Sequence, residues 1–378
     1  MSRFFVVVLT VSFSAFISHH SFGYGADGHA MVGAIADDRL AGTPAGEAEK
    51  KLLDGIPLAQ AAVFPDQIKS WDRSLPSASK GFHIVGHPEI EKQLIAFIKA
   101  NPYRSQGPAD HDKATPPTHH WFHYTDVPVA DGETYEQGTT GRSQWDIVHM
   151  TDFCLRVLTG QEPEDNPRAI TKPVALILLA HYLGDIHQPL HVGAEYFSKD
   201  NQIVNPDKGT PAFGDEGGNT LLVLLTGAPP TSHNSLHSFW DTPAVLGALA
   251  KIKKDGALGD TADAAAVAAY LAKTPPPGWE IPSSVPLDKT GEYLADAILP
   301  LAKTAHERLD FQGLQQKDQH GEVVESGFAR EKKMPDGVSY PDWAAGVTAA
   351  ELAKGGWQLA EVVGRAFAPP APAPAPAK

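Results

Sequence analysis

One short segment of the sequence holds histidine and aspartate at a spacing that favours a shared chemical site. Within Ala180–His191, His181 and Asp185 are four residues apart, so both side chains would project from one face of an α-helix. Pro189 favours a break in that helix, and His191 follows on the outgoing turn. Because both groups are costly to bury alone, the pair is either a hydrogen-bonded core pair or part of a metal site.

Further histidines and aspartates lie in segments that could fold towards this one. They are His29, Asp66, His123 and the pair His237 and Asp241. Taken singly, each has an ordinary explanation as a helix cap, a packed side chain or a surface pair. Taken together, imidazoles and carboxylates without thiolates form a ligand set that suits zinc and tolerates manganese. Such sets are typical of catalytic sites that keep positions open for water and substrate, so the sequence predicts an open metal site.

The hydrophobic periodicity predicts a mainly α-helical chain that would position these residues. The apolar run Val174–Leu183 predicts a buried helix over residues 172–188. The other predicted helices cover about residues 28–40, 47–61, 90–100, 144–158, 235–241, 261–272, 290–309 and 343–367. Residues 121–128 and 219–225 are the predicted extended segments, and Pro243 is predicted to stop the helix that precedes it. We therefore expect a single helical domain with a small β element.

The first 23 residues have the pattern of a secretory signal peptide. Arg3 provides the positive charge, and the apolar run that follows it is too short for a comfortable membrane span. Ser21 and Gly23 are small residues at the positions that favour cleavage before Tyr24. The mature chain is therefore predicted to begin at Tyr24.

The C-terminal residues 368–378 form a Pro/Ala repeat, which predicts an extended, disordered tail. The catalytic domain is then expected to cover residues 24–367. The chain has a single cysteine, Cys154, so no disulfide framework is predicted. Export with a single cysteine favours a secreted or periplasmic protein, and no later segment has the length and purity of a membrane anchor.

The charge balance argues against one common way of binding nucleic acid. The chain has 45 acidic and 31 basic residues and a formal net charge of −14. That balance is unlike a protein that grips phosphates through a broad basic face. It leaves open an enzyme whose positive charge is carried by bound metal ions, which are often the largest local charges in a site.

The order of these motifs resembles the S-one/P-one nuclease family, the trinuclear zinc nucleases that act on single-stranded nucleic acid. The same metal-cluster plan occurs in bacterial zinc-dependent phospholipase C. The matching segments are Tyr24–His29, Phe64–Lys69, His123–Asp126, His181–Gly193, Gly217–Asn219 and His237–Asp241. They extend over most of the mature chain, and the segment that begins at His181 is the most specific of them. The resemblance implies the mainly helical fold of these two enzyme types.

The resemblance also implies three zinc ions per chain. The implied ligands of the first ion are Asp66, His123, His181 and Asp185. The implied ligands of the second are Asp185, His29, and the α-amino nitrogen and carbonyl oxygen of Tyr24. The implied ligands of the third are His191, His237 and Asp241. Because the ligand amine exists only after cleavage, removal of the signal peptide would complete the site.

Further roles follow from the same resemblance. The implied catalytic residues are Asp66, Lys69 and Asp185, and Lys69 would also contact the substrate phosphate. Tyr124 would stack on a nucleobase and Asp126 would accept a hydrogen bond from its edge, although Tyr124 could equally pack in the core. His187 falls outside the ligand pattern and is predicted to be structural.

Three departures from the family pattern bear on the prediction. Tyr24 occupies a position where the family usually has Trp, and Lys69 one where Arg often stabilises the phosphate. A Lys supplies charge without the bidentate fork of Arg, which predicts weaker stabilisation of the transition state, although Lys69 could also be an ordinary solvated residue. The segment 77–118 is longer than the family's usual connection and is expected to reshape the substrate cleft.

The sequence thus predicts an exported, monomeric, zinc-dependent endonuclease. It would hydrolyse single-stranded DNA and RNA to 5′-phosphate products, with 3′-nucleotidase activity as a further expectation. Two alternatives stay open. The first is a zinc-dependent phospholipase C or another phosphoesterase, and the second is a zinc-binding protein without turnover.

Overall fold

The computed structural model describes residues 24–73, 82–103, 118–225, 235–314 and 327–368. The predicted signal peptide and residues 369–378 of the predicted tail lie outside the described residues, as do two parts of the 77–118 segment. The helices of the described part are α1 (Gly25–Leu40), α2 (Pro44–Leu52), α3 (Leu58–Ala61), α4 (Phe64–Arg73), α5 (Pro88–Ala100), α6 (Ile147–Thr159), α7 (Lys172–Ile186), α8 (Leu236–Asp241), α9 (Pro243–Asp255), α10 (Ala264–Leu271), α11 (Thr290–Glu307) and α12 (Tyr340–Ala366). Single 3-10 turns occur at His119–His123, Tyr135–Gln137, Pro189–His191, Pro206–Lys208 and Leu287–Lys289.

Helix α7 is the central helix of the described chain. Every residue from Val174 to Ile186 is buried, which is expected of a helix that is apolar on all sides. Helices α1, α4, α5, α6, α11 and α12 pack around it. It ends at Ile186, and the chain then turns through the 3-10 turn that contains Pro189. The predicted buried helix and its break are both confirmed.

The strands of the described residues form three small sheets beside the helices. They are β1 (Val127–Pro128), β2 (Gly193–Ala194), β3 (Tyr196–Ser198), β4 (Ala212–Gly214), β5 (Leu221–Leu224), β6 (Leu309–Gln312) and β7 (Gly327–Glu331). Strand β1 pairs parallel with β2, β3 pairs antiparallel with β4, and β7 lies between β5 (parallel) and β6 (antiparallel). In the last sheet Leu221 faces Gly327 and Leu309 faces Glu331. The prediction of a mainly helical fold with a small β element is confirmed.

Three predicted boundaries differ from the structure. The predicted helix 47–61 is divided into α2 and α3, because the chain turns at Gly55 with a positive φ and Pro57 precedes the second piece. Residues 119–123 form a 3-10 turn, and only Val127–Pro128 of the predicted extended segment pairs as a strand. Pro243 does follow the end of α8, but it also begins α9, because proline is tolerated in the first turn of a helix.

The helices enclose one main hydrophobic cluster, and a smaller cluster lies around Trp240 and Tyr340 near the third sheet. Helix α12 packs along α1 and α9. The first and last helices of the described part therefore lie side by side in the main cluster. None of the described helices is long and apolar enough to cross a membrane.

Candidate metal centre

Six separate elements bring the predicted metal-ligating side chains into one buried cluster. Helix α1 supplies His29, α4 supplies Asp66, the 119–123 turn supplies His123, α7 supplies His181 and Asp185, the 189–191 turn supplies His191, and α8 supplies His237 and Asp241. All of these side chains are buried. The break after α7 matters here, because it lets one short run of sequence reach two sides of the cluster.

Asp185 lies at the middle of the cluster and is fully buried. Its Oδ1 is 3.1 Å from His29 Nε2, and its Oδ2 is 3.0 Å from both His181 Nε2 and His123 Nδ1. Burial alone would raise the pKa of Asp185, but the surrounding imidazoles, His181 foremost, hold that pKa well below its usual value. The carboxylate is therefore ionised and faces several nitrogen atoms at once.

Asp66 closes a second group with His29 and His181. Its Oδ2 is 3.9 Å from His29 Nε2, and its Oδ1 is 3.7 Å from His181 Nε2. The two imidazole rings are stacked, with centroids 3.8 Å apart and 16° between their planes. Gly184 permits this approach of α1, because a Cβ at that position would lie 2.6 Å from His29 Nδ1. Lys69, also buried, places its Nζ 3.0 Å from Asp66 Oδ1.

The third group consists of His191, His237 and Asp241. Asp241 Oδ1 is 3.9 Å from His191 Nε2, and Oδ2 is 3.6 Å from His237 Nε2. Burial raises the pKa of Asp241 well above its usual value. Burial also lowers the pKa of His237, to about 3. A nearby cation would stabilise the ionised carboxylate of Asp241 and so offset the cost of ionising it in a buried place. It would also favour the neutral form of His237, which is the form that binds a metal.

Backbone hydrogen bonds fix the protonation of three of the histidines. The Nδ1 atoms of His181, His191 and His237 lie 2.7, 2.6 and 2.8 Å from the carbonyl oxygens of Ala62, His123 and Gly217, respectively. A carbonyl oxygen only accepts, so each Nδ1 must carry the proton and each Nε2 presents a lone pair to the cluster. This is the arrangement by which proteins orient histidine ligands of metals.

These residues fit a bound zinc ion. Among the described residues, His191 Nε2 and Asp241 Oδ2 are buried atoms that make no hydrogen bond. Leaving such atoms unsatisfied costs about 1–3 kcal/mol each, and a metal ion would remove that cost. Imidazole nitrogen and carboxylate oxygen are also ligands that zinc prefers. The cluster could therefore bind metal at several points around Asp185.

Comparison with known proteins identifies the class of protein to which this fold and site belong. The family model described as S1/P1 Nuclease matches residues 24–368. The chain therefore belongs to the S1/P1 nuclease family, and the predicted resemblance is confirmed.

The curated relatives of the chain are plant endonucleases. Endonuclease 4 of Arabidopsis thaliana is 31% identical over 98 residues, which cover 26% of this chain and 25% of the relative. Endonuclease 1 of the same plant is 26% identical over 231 residues (59% of this chain, 54% of the relative). Endonuclease 5 is 26% identical over 259 residues (64% of this chain, 63% of the relative). The chain thus spans between a quarter and just under two thirds of the length of these relatives.

The remaining predicted site residues border the cluster. Tyr24 is buried at the start of α1, and its hydroxyl donates a hydrogen bond to the carbonyl of His187. Tyr124 and Asp126 follow His123 and are half-buried. The backbone N–H of Asp126 donates to Gly141 O at 2.9 Å, so this stretch of backbone is held beside the cluster.

Two features of the site were not predicted from the sequence. Gln188 donates from Nε2 to Asp241 Oδ1 at 2.9 Å and so orients a carboxylate 53 positions away along the chain. The sequence offered one indication of this role, because Gln188 lies between the predicted ligands Asp185 and His191. The second feature is a separate buried group made of Asp72, His119 and His120. The adjacent histidines 119 and 120 were visible in the sequence, but nothing there connected them with Asp72.

Proposed function

We propose that the chain is an exported zinc-dependent endonuclease that hydrolyses single-stranded DNA and RNA to 5′-phosphate products. Its catalytic domain would cover residues 24–367, and it would act as a monomer. The observation that carries the proposal is the arrangement of the imidazole–carboxylate groups around the buried Asp185, in a chain of the S1/P1 nuclease family. The relatives, by their names, are endonucleases.

The proposed ligand sets are those that the family resemblance implies, and their side chains all belong to the groups described above. Asp66, His123, His181 and Asp185 would hold one zinc ion. Asp185, His29 and the backbone of Tyr24 would hold a second, and His191, His237 and Asp241 would hold a third. Bound zinc would supply activation of a water molecule and stabilisation of negative charge on the phosphate.

The chain's own residues would provide the positioning around that chemistry. The carbonyls of Ala62, His123 and Gly217 hold three imidazoles in one tautomer and one orientation. Lys69, fixed against Asp66, would place one positive charge beside the substrate phosphate. Because Lys69 is buried, its charge acts more strongly than it would at the surface.

Recognition of a single strand is proposed for Tyr124 and Asp126. Aromatic stacking on a base face and a hydrogen bond to a base edge both require an unpaired nucleotide. Both residues are half-buried and directly follow His123 in the chain. This placement supports a base pocket at the border of the metal cluster.

Cleavage before Tyr24 is proposed to complete the second metal group. Helix α1 begins one residue after Tyr24, and its first turn lies against the end of α8. A Cβ on Gly25 would lie 3.0 Å from the backbone oxygen of Asp241. A free amine at Tyr24 would therefore lie beside the end of α8, at the start of the helix that also carries His29. An additional residue before Tyr24 should impair zinc binding, and full zinc content in that variant would contradict the role of the amine.

The decisive assay uses tag-free mature protein on single-stranded DNA, double-stranded DNA and phosphatidylcholine vesicles. We expect cleavage of single-stranded DNA, loss of that cleavage after chelation, and its return with Zn²⁺. Lipid hydrolysis without DNA cleavage would favour the phospholipase C alternative. Zinc binding without hydrolysis of any phosphoester would favour the binding protein without turnover.

A further inference from the structure

A second buried group of metal-type ligands lies outside the cluster around Asp185. Its members are Asp72 on α4 and the adjacent His119 and His120, and all three are buried. Asp72 Oδ2 is 3.0 Å from His119 Nε2 and 3.6 Å from His120 Nε2. The potential ligand atoms of the three residues all lie within 4.8 Å of one another. Neither the family resemblance nor the predicted ligand set includes any of them.

The spacing of this group suits a zinc ion. Zinc–nitrogen and zinc–oxygen bonds of about 2.0–2.1 Å place the ligand atoms of a tetrahedral site about 3.3 Å apart. The two separations at Asp72 lie on either side of that value. They also overlap the separations of 3.0–3.9 Å found among His181, Asp185, His191 and Asp241. At 3.6 Å, the contact between Asp72 and His120 is longer than a hydrogen bond.

The surroundings hold the carboxylate and the imidazoles in place. The backbone N–H of Tyr103 donates to Asp72 Oδ2 at 2.8 Å. The ring of Phe97 lies against His119, and the ring of Tyr103 lies against His120, with centroids 5.6 and 4.7 Å apart.

The group joins the same two elements that supply part of the proposed catalytic cluster. Asp66, Lys69 and Asp72 are spaced by three residues along α4, so they share one side of the helix. Six residues of helix place Asp72 about 9 Å from Asp66 along the helix axis. His120 and His123 belong to one 3-10 turn, in which three residues rise about 6 Å. The group of Asp72, His119 and His120 therefore connects α4 with this turn at a point separate from the cluster around Asp185.

We propose that Asp72, His119 and His120 bind one additional zinc ion, which fixes α4 against the 119–123 turn. A metal at this point would hold Asp66 and Lys69 in register with His123. The proposal does not depend on the proposed nuclease activity, because a zinc ion here can be counted whether or not the protein cleaves DNA. The competing explanation is a metal-free carboxylate that is hydrogen-bonded by two histidines.

The test is the zinc content of the tag-free, fully loaded protein after dialysis, measured by mass spectrometry of the metal. We expect four zinc ions per chain in the unaltered protein. His120→Gln should reduce the content to three, because it removes one ligand while leaving the Asp185 cluster intact. His83→Gln is the matched control, since His83 is an exposed histidine paired with Glu91 at 3.3 Å, and it should retain four.

Two results would overturn the proposal. Equal zinc contents in the unaltered, fully loaded protein and in the folded His120→Gln variant would show that His120 holds no zinc ion, whatever the total count. An equal loss of one ion in the His83→Gln control would show that the loss is not specific to this group. If His120→Gln fails to fold, His119→Gln supplies the same comparison.

Discussion

Two buried arrangements in this protein combine histidine with aspartate side chains. They differ in how completely the polar atoms of those side chains are hydrogen-bonded. In the cluster around Asp185, one carboxylate faces three imidazoles, and two further carboxylates lie close by. In the second arrangement, His306 on α11 pairs with the carboxylate of Asp215, with Nε2 2.8 Å from Asp215 Oδ2. Both lie in fully buried surroundings, so burial alone does not separate them.

The difference lies in how completely the polar atoms are satisfied. His306 Nδ1 donates to Ala302 O at 2.8 Å, and Asp215 Oδ1 accepts from the backbone N–H of Glu195 at 3.1 Å. Burial lowers the pKa of His306, but the Asp215 carboxylate and then Glu195 outweigh burial and raise that pKa to about 9. This pair is a complete ion pair without a metal. Near Asp185, by contrast, nitrogen lone pairs converge and buried atoms such as His191 Nε2 make no hydrogen bond among the described residues.

The largest predicted effect is the loss of activity at His181, and it is compared with His187, which lies near the same end of α7. His181→Gln should reduce cleavage of single-stranded DNA by about 1,000-fold, because His181 is a proposed metal ligand and losing such a ligand removes several kcal/mol of transition-state stabilisation. His187→Gln should change the rate per folded molecule by less than about tenfold. Both nitrogens of His187 are already bound, to Leu183 O at 2.6 Å and Gln358 Oε1 at 2.7 Å. Steady-state kinetics on both variants test this, and equal losses would contradict the assignment of ligands.

The next effect concerns the stability of the Asp215–His306 pair. His306→Gln should lower the free energy of unfolding by about 3 kcal/mol at pH 6, since a shift from 6.5 to about 9 corresponds to that amount. The folded-state pKa is raised, so the stabilisation is complete below about pH 6.5 and is lost as the pH rises through 9. Urea unfolding of both proteins at pH 6, 7.5 and 9.5 measures the difference.

Two controls sharpen that experiment. Glu195, whose pKa burial raises to about 7, is present in both proteins, so only the difference between them reports on His306. Zinc content should be unchanged in His306→Gln. A stability difference that grows with pH would contradict the ion pair, and a lost zinc ion would contradict the distinction between the two arrangements.

Lys69 gives a prediction of intermediate size. Lys69→Met should lower kcat/KM by about 100-fold, the usual cost of removing one charged group that stabilises a developing negative charge. Lys69→Arg should equal or exceed the natural activity, because the guanidinium can donate two parallel hydrogen bonds to a phosphate. Kinetics on a dinucleotide substrate test both variants. If Lys69→Met retained full activity, Lys69 would be only the partner of Asp66.

The smallest predicted effect is at Asp126. Asp126→Asn should change KM by about threefold to tenfold, with a different factor for each nucleobase, because a neutral amide both donates and accepts hydrogen bonds. The kcat should be nearly unchanged, since Asp126 lies outside the ligand groups. Kinetics on the four homopolymeric oligonucleotides measure this, and a uniform loss of kcat would contradict a role in base recognition.

The features that were predicted best from the sequence are those that depend on the spacing of residues close together in the chain. The four-residue intervals at His181 and at His237 place the predicted ligands on helix faces, and both segments are helices in the structure. The strands β6 and β7 were missed because their pairing depends on residues far apart in the chain. The same reason hid the Asp215–His306 pair, which is 91 residues apart, and the Asp72–His119 contact, which is 47 apart. Helix α9 was missed because Pro243 was interpreted only as a stop signal.

The most direct test of the distinction between the two arrangements is an anomalous difference map at the zinc absorption edge, from crystals of the zinc-loaded mature protein. We predict three peaks within the cluster of His29, Asp66, His123, His181, Asp185, His191, His237 and Asp241. We predict no peak between Asp215 and His306. Absence of peaks around Asp185, or a peak between Asp215 and His306, would contradict the conclusion that unsatisfied, converging ligands distinguish the metal centre from a buried ion pair.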